Sequence, residues 1–205
     1  MAQQRTAAWR RTDLDAGVGL IRLLRTMPGF RADGCEVAVR GAERWSCRFT
    51  VGLDDAWLIR LLQVEVVLGG AVHQLRLDSD GAGRWWGDGT AVPGLDGCLD
   101  VELAATPFTS SLPLHRLALQ VGQVQRLAVA RVDVPGLRVE RCDQQYARLG
   151  PAQGLEHFRW WPSSSSTPRL LTVDGEGLPV TLERFAQRIS PREHPLSFVA
   201  PRIRS

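Results

Sequence analysis

The chain alternates short apolar-patterned runs with clusters of Gly, Asp, Pro and Ser. Side chains in a strand point alternately to opposite faces, so Trp45–Val51 sets Trp45, Cys47, Phe49 and Val51 on one side. Glu36–Arg40 has the same period of two, and Ala71–Asp78 opposes Val72, Gln74 and Arg76 to His73, Leu75 and Leu77. Gly69-Gly70 and Asp80-Gly81 fall between such runs, where they signal hairpin turns. Trp57–Leu68 is dense enough in apolar residues to fit a helical or an extended period, and its Val-rich end and the following Gly pair favour strand. Val124–Val134 alternates as far as the turn dipeptide Pro135-Gly136, and Leu137–Leu149 returns as a strand. Leu155–Trp161, Arg169–Val173 and Leu178–Phe185 follow, the last after the Asp174–Gly177 turn. Short strands at this spacing with few helices predict a mainly β sandwich, barrel or meander. No repeat or composition shift divides the chain, so one domain is expected over residues 1–189. The Ser-rich Pro162–Pro168 reads as a mobile loop, and the Pro- and Arg-rich tail, residues 190–205, as a poorly ordered segment.

The centre of the chain is different. As a strand, Asp96–Leu103 places Asp96, Cys98, Asp100 and Glu102 on one face, expected toward solvent, and Leu95, Leu99, Val101 and Leu103 on the other. Thr106-Pro107 then combines a capping residue with proline at the first helical position. Phe108, Leu112 and His115 or Arg116 recur at helical spacing, which predicts a short helix from about Pro107 to Arg116, bent or divided by Pro113. Arg116 returns toward the acidic strand, and an Asp100–Arg116 pair is the expected contact, since a buried carboxylate needs such a partner.

Composition and charge narrow the function classes. No window holds the roughly 18 uninterrupted apolar residues of a membrane-spanning helix. Residues 1–17 lack the apolar run of a secretory signal, and a cytoplasmic protein is expected. The net charge is +3, every cation is Arg, and the Arg residues are scattered rather than gathered in a basic stripe, so a nucleic-acid partner is not expected. The four cysteines form no C-x-x-C pair, and no His stands at zinc-ligand spacing from them. They read as buried thiols, a disulfide or metal role being the alternative, and neither a metal nor a cofactor is expected. No G-x-S-x-G elbow, P-loop or H-E-x-x-H appears, so the chain is not expected to be an enzyme.

Leu95–Leu117, LDGCLDVELAATPFTSSLPLHRL, resembles the core of a bacterial family known as putative glycolipid-binding proteins, earlier a domain of unknown function. Trp9-Arg10, Trp57, Trp85, Val132–Pro135 with Leu137, Gln144 with Tyr146 and the Val173–Leu178 turn match as well, so the likeness runs from about Ala8 to Phe185. The resemblance implies a spiral β-roll: a large, mostly antiparallel sheet wrapped around one short α-helix, similar to periplasmic carriers of lipoproteins and mycobacterial lipids. The chain departs from the family where Thr109-Ser110-Ser111 replaces Thr-Asn-Thr and where Phe158–Trp161 reads FRWW in place of tyrosines. Ser110 lacks the two donors and the acceptor of an asparagine amide.

Three functional readings follow. The first is a non-catalytic binding protein for a glycolipid or acyl-containing amphiphile, held in a cleft between sheet and helix. Asp100, Thr106, Thr109, Ser110, Arg116, Gln144 and Tyr146 would either contact that ligand or form a structural polar network. Trp160 and Trp161, beside the Ser loop, would form its entrance, while Trp45, Trp57 and Trp85 read as core. The second is a hydrolase with Asp100 and Glu102 or Asp96 as paired carboxylates. The third is a structural protein that forms a homodimer through exposed strand edges or an apolar patch.

Overall fold

The computed structural model describes residues 4–162 and 165–190. The expected poorly ordered tail, residues 190–205, lies outside the described residues from 191 on, as do residues 163–164 of the Ser loop. The chain is mainly β, with strands β1 (Gln4–Arg11), β2 (Ala16–Arg25), β3 (Phe30–Arg40), β4 (Glu43–Leu53), β5 (Ile59–Leu68), β6 (Ala71–Ser79), β7 (Trp85–Gly87) and β8 (Thr90–Ala91). After a 3-10 turn at Pro93–Leu95 come β9 (Asp100–Leu103), the helix α1 (Phe108–Ser111) and a second 3-10 turn at Leu112–His115. The second half comprises β10 (Val124–Val132), β11 (Val139–Ala152), β12 (Leu155–Trp161), β13 (Arg169–Val173), β14 (Pro179–Leu182) and β15 (Ala186–Arg188).

All of them form one 15-stranded sheet in the order β8-β7-β6-β5-β4-β3-β2-β1-β15-β14-β13-β12-β11-β10-β9. Every pairing is antiparallel except β9 with β10. That exception explains the helix. Antiparallel neighbours join through tight turns, as at Gly69-Gly70, where both residues take the positive φ of the turn that matches strand twist. A parallel pair needs a crossover, and here the segment between Leu103 and Val124, carrying α1, makes it. Pro113 divides the helical stretch, as expected: the α-helix ends at Ser111 and a 3-10 turn continues it.

The crossover lies inside the curled sheet. Phe108 and Leu112 join the main core of Trp9, Ile21, Phe49, Leu62 and Trp85, while Leu114 and Leu117 pack on a second cluster around Tyr146, Phe158, Trp160 and Leu171. The β9 end of the sheet turns inward as well: Val101, Leu103, Ala130 and Val132 belong to the main core. The acidic strand therefore corrects the expectation. It begins at Asp100 rather than Asp96, and Asp100, Val101 and Leu103 are all buried, so its acidic face does not look to solvent. Asp96 lies exposed in a turn. The two ends of the sheet, β8 and β9, are consecutive in sequence, and the sheet is not closed between them. Gly97 N–H donates to the Gly83 carbonyl at 2.8 Å and the Trp85 indole to the Cys98 carbonyl at 2.8 Å, which ties the linker to β7.

Candidate binding site

The polar residues singled out around α1 do come together, and their bonds are internal. Thr106 Oγ1 accepts from Phe108 N–H at 3.2 Å at the start of the helix, although the N-cap position falls on Pro107 rather than on Thr106 as expected. Thr109 Oγ1 accepts from Leu103 N–H at 3.0 Å, and the Ser111 hydroxyl donates to the Phe108 carbonyl at 2.9 Å. Ser110 takes part through its carbonyl, which accepts from the Tyr146 hydroxyl at 2.9 Å. The Trp160 indole donates to Gln144 Oε1 at 3.1 Å, and the Gln144 amide donates to Glu102. Arg116 pairs with Asp100, the contact expected from sequence. This network fixes the helix to β9, β11 and β12.

Burial controls the charges here. Asp100 and Glu102 are both raised above the usual carboxylate range by loss of solvation, against the pull of Arg116 on one and Arg131 on the other. Neither lines any of the three grooves described below. Trp160 corrects a further expectation: it is 3% exposed and belongs to the second core, because its strand position faces Tyr146 and Gln144 rather than solvent. Trp161 is half-buried. Trp45 and Trp85 are core residues, while Trp57 is half-buried and stacked between Phe30 and His115 at 4.2 and 3.6 Å. The cysteines also divide: Cys47 and Cys98 are buried, Cys142 is intermediate, and Cys35 is exposed. Among the described residues no group of His, Cys, Asp and Glu is arranged to hold a metal ion.

The α1 residues Phe108–Ser111 are all buried, and a cleft between sheet and helical segment opens where the 3-10 turn leaves the roll. There a pocket of about 450 Å³ is lined by Leu114, Leu117, Phe158 and Val173, with His115, Arg148 and Asp174 among its polar groups. Burial pulls His115 down to about 4, so its imidazole is neutral at physiological pH.

A larger groove, about 880 Å³, lies on the outer face of β2–β6. Strand register orders that face into rows. Val18, Val37, Ser46, Val67 and Val72 form the first, and Val37 and Val72 are 61% and 59% exposed. The second holds Leu20, Cys35, Arg48, Glu65 and Gln74, and the third Arg22, Asp33, Thr50, Gln63 and Arg76. An apolar pocket of about 480 Å³ continues the first row. These residues were not singled out from sequence. The signal was present in Glu36–Arg40, whose alternation turns Glu36 inward and Val37 outward. Glu36 is accommodated because Arg11 reaches it across the inner face, with Nη1 donating to its two oxygens at 2.8 and 2.9 Å.

A family model described as putative glycolipid-binding matches residues 6–188. The chain belongs to that family. This glycolipid-binding family member is also similar to a solved structure, the crystal structure of a DUF1089 family protein from Pseudomonas aeruginosa. The TM-score is 0.74 at 27% identity, over 84% of this chain and 92% of that one. No curated protein matches the sequence. The spiral β-roll expected of the glycolipid-binding family is the fold observed, and no helix among the described residues is long and apolar enough to cross a membrane.

Proposed function

We propose that this protein binds a glycolipid or related acyl-bearing amphiphile without catalysis, on the outer face of β2–β6. The observation that carries the reading is the exposed apolar row beside two polar rows. Ser46 interrupts the row, and the four exposed valines on either side of it give an apolar surface that, rimmed by polar residues, is of the kind a ligand or partner covers. At about 4.8 Å per strand the row is roughly 19 Å long, enough for a long acyl chain laid across the strands. Hydroxyls of a sugar would then meet the carboxylate, amide and guanidinium groups of the neighbouring rows. The sheet–helix cleft has about half the volume of the outer groove. The absence of catalysis is part of the proposal, supported by the enclosure of Asp100 behind Arg116. Cytoplasmic residence is supported by the exposed free thiol of Cys35.

Native mass spectrometry with organic extraction tests the reading. The purified protein is expected to retain lipid, and Val37→Asp with Val72→Asp to release it while the melting temperature stays nearly unchanged, since both are surface positions. Retention of lipid by the double variant would place the ligand elsewhere. A second reading, a homodimer through the same valines, is favoured by their exposure and predicts twice the chain mass with no lipid in the same spectra.

A further inference from the structure

The head group can be narrowed by asking which groups of the groove are already committed. Arg22 lies 3.6 Å from Asp33, whose carboxylate also takes Arg31 and the Thr50 hydroxyl. Arg76 holds Asp78 through two hydrogen bonds at 2.7 and 2.8 Å. Glu65 stands directly across from Arg48, where an ion pair is the usual outcome, yet its carboxylate accepts instead from the Gln74 amide at 3.0 Å. The Arg48 guanidinium is left without an ion pair or hydrogen bond among the described residues. It stands in the middle of the second row, beside Ser46 of the apolar row by one step along the same face of β4.

We infer that Arg48 receives an anionic group of the ligand, a phosphodiester or carboxylate joined close to the acyl chain, while Glu65 and Gln74 take hydroxyls. This rests on the outer-face binding proposed above. A guanidinium presents its donors as a planar fork that matches two oxygens of a phosphate or carboxylate, and such charge-assisted bonds are about twice as strong as neutral ones. Along a strand, alternate residues on one face lie about 6.6 Å apart, so an anion on Arg48 and a chain on the valine row are separated by about the span of a glycerol unit. The carboxylate next to it would repel a bare second phosphate but accept from sugar hydroxyls, so the chemistry that fits is a singly anionic glycolipid.

Calorimetry with three probes separates the possibilities: dioctanoyl phosphatidylinositol, dioctanoyl galactosylglycerol and free inositol phosphate. Phosphatidylinositol is expected to bind at least tenfold more tightly than the galactolipid. Arg48→Gln should remove that tenfold difference by weakening phosphatidylinositol far more than the galactolipid, and leave the melting temperature unchanged. Equal affinity for the two lipids, or no effect of Arg48→Gln, overturns the assignment of the anion to Arg48 and leaves amphiphile binding standing. Binding of neither lipid overturns both. Inositol phosphate bound as tightly as the lipid supports the anion site and overturns the role of the valine row.

Discussion

Glu36 is 2% exposed on the inner face of the sheet, and its environment sets a pH dependence. Burial raises it, Arg11 lowers it, and burial prevails, pushing the carboxyl up to about 7 from an ordinary value of 4.5. The folded chain therefore holds a proton that the unfolded chain releases over that interval. The contribution is fully present below pH 4.5 and is lost as pH rises to about 7. Urea unfolding across this range should show stability falling with pH from this source, and Glu36→Gln should flatten that part of the slope. Asp100 poses the opposite problem, because removing its partner leaves a buried carboxylate unpaired. Arg116→Ala is expected to lose about 3–5 kcal/mol in denaturant melts. The Asp100–Arg116 contact was legible because both residues lie in one short segment of unusual pattern. Arg11 and Glu36 were not, since nothing local in Glu36–Arg40 says that a guanidinium from another strand will reach it.

Among the elements, β3 and β4 illustrate how a missing side chain sets packing. Gly34 pairs with Phe49, and a Cβ on Gly34 would fall 2.2 Å from Phe49 Cζ, so the ring occupies the space that a side chain would fill. Gly34→Ala should therefore cost about 1–3 kcal/mol by overpacking, and Phe49→Leu in the same chain should recover part of it in thermal melts. The β4 alternation from Trp45 to Val51 was read correctly because every inward residue is apolar. So was α1, whose start and division are written in Thr106, Pro107 and Pro113. β9 was misread because alternation reports faces and not enclosure: only a second layer of protein could bury Asp100 and Val101 together.

At the scale of the molecule, strand order lay beyond sequence reasoning from pattern alone, since a period of two does not say which strand lies next to which. Two glycines hold the sheet's ends near one another. Both have positive φ, and a Cβ on Gly83 would stand 3.0 Å from Gly97 Cα. Gly97→Val, at φ +85, is expected to strain this junction by about 1–3 kcal/mol. It should also speed hydrogen exchange in β7–β9 and raise light scattering as strand edges become available for pairing. Unchanged exchange there would mean that the Trp85 indole bond alone holds the ends.

The pairing of β1 with β15 has a consequence for how the chain reaches this state. Apart from the β9–β10 crossover, each half is a run of neighbours joined by short turns, the kind of local contact that forms quickly. The seam between the halves is the long-range step, in which Trp9 meets Arg188 and the Trp9 indole donates to the Pro179 carbonyl at 2.9 Å. On a ribosome, β1 must wait as an unpaired edge until β14 and β15 emerge. The first half is thus exposed to wrong partners for most of synthesis, and the time spent there, more than the stability of the finished roll, should set how much protein a cell recovers.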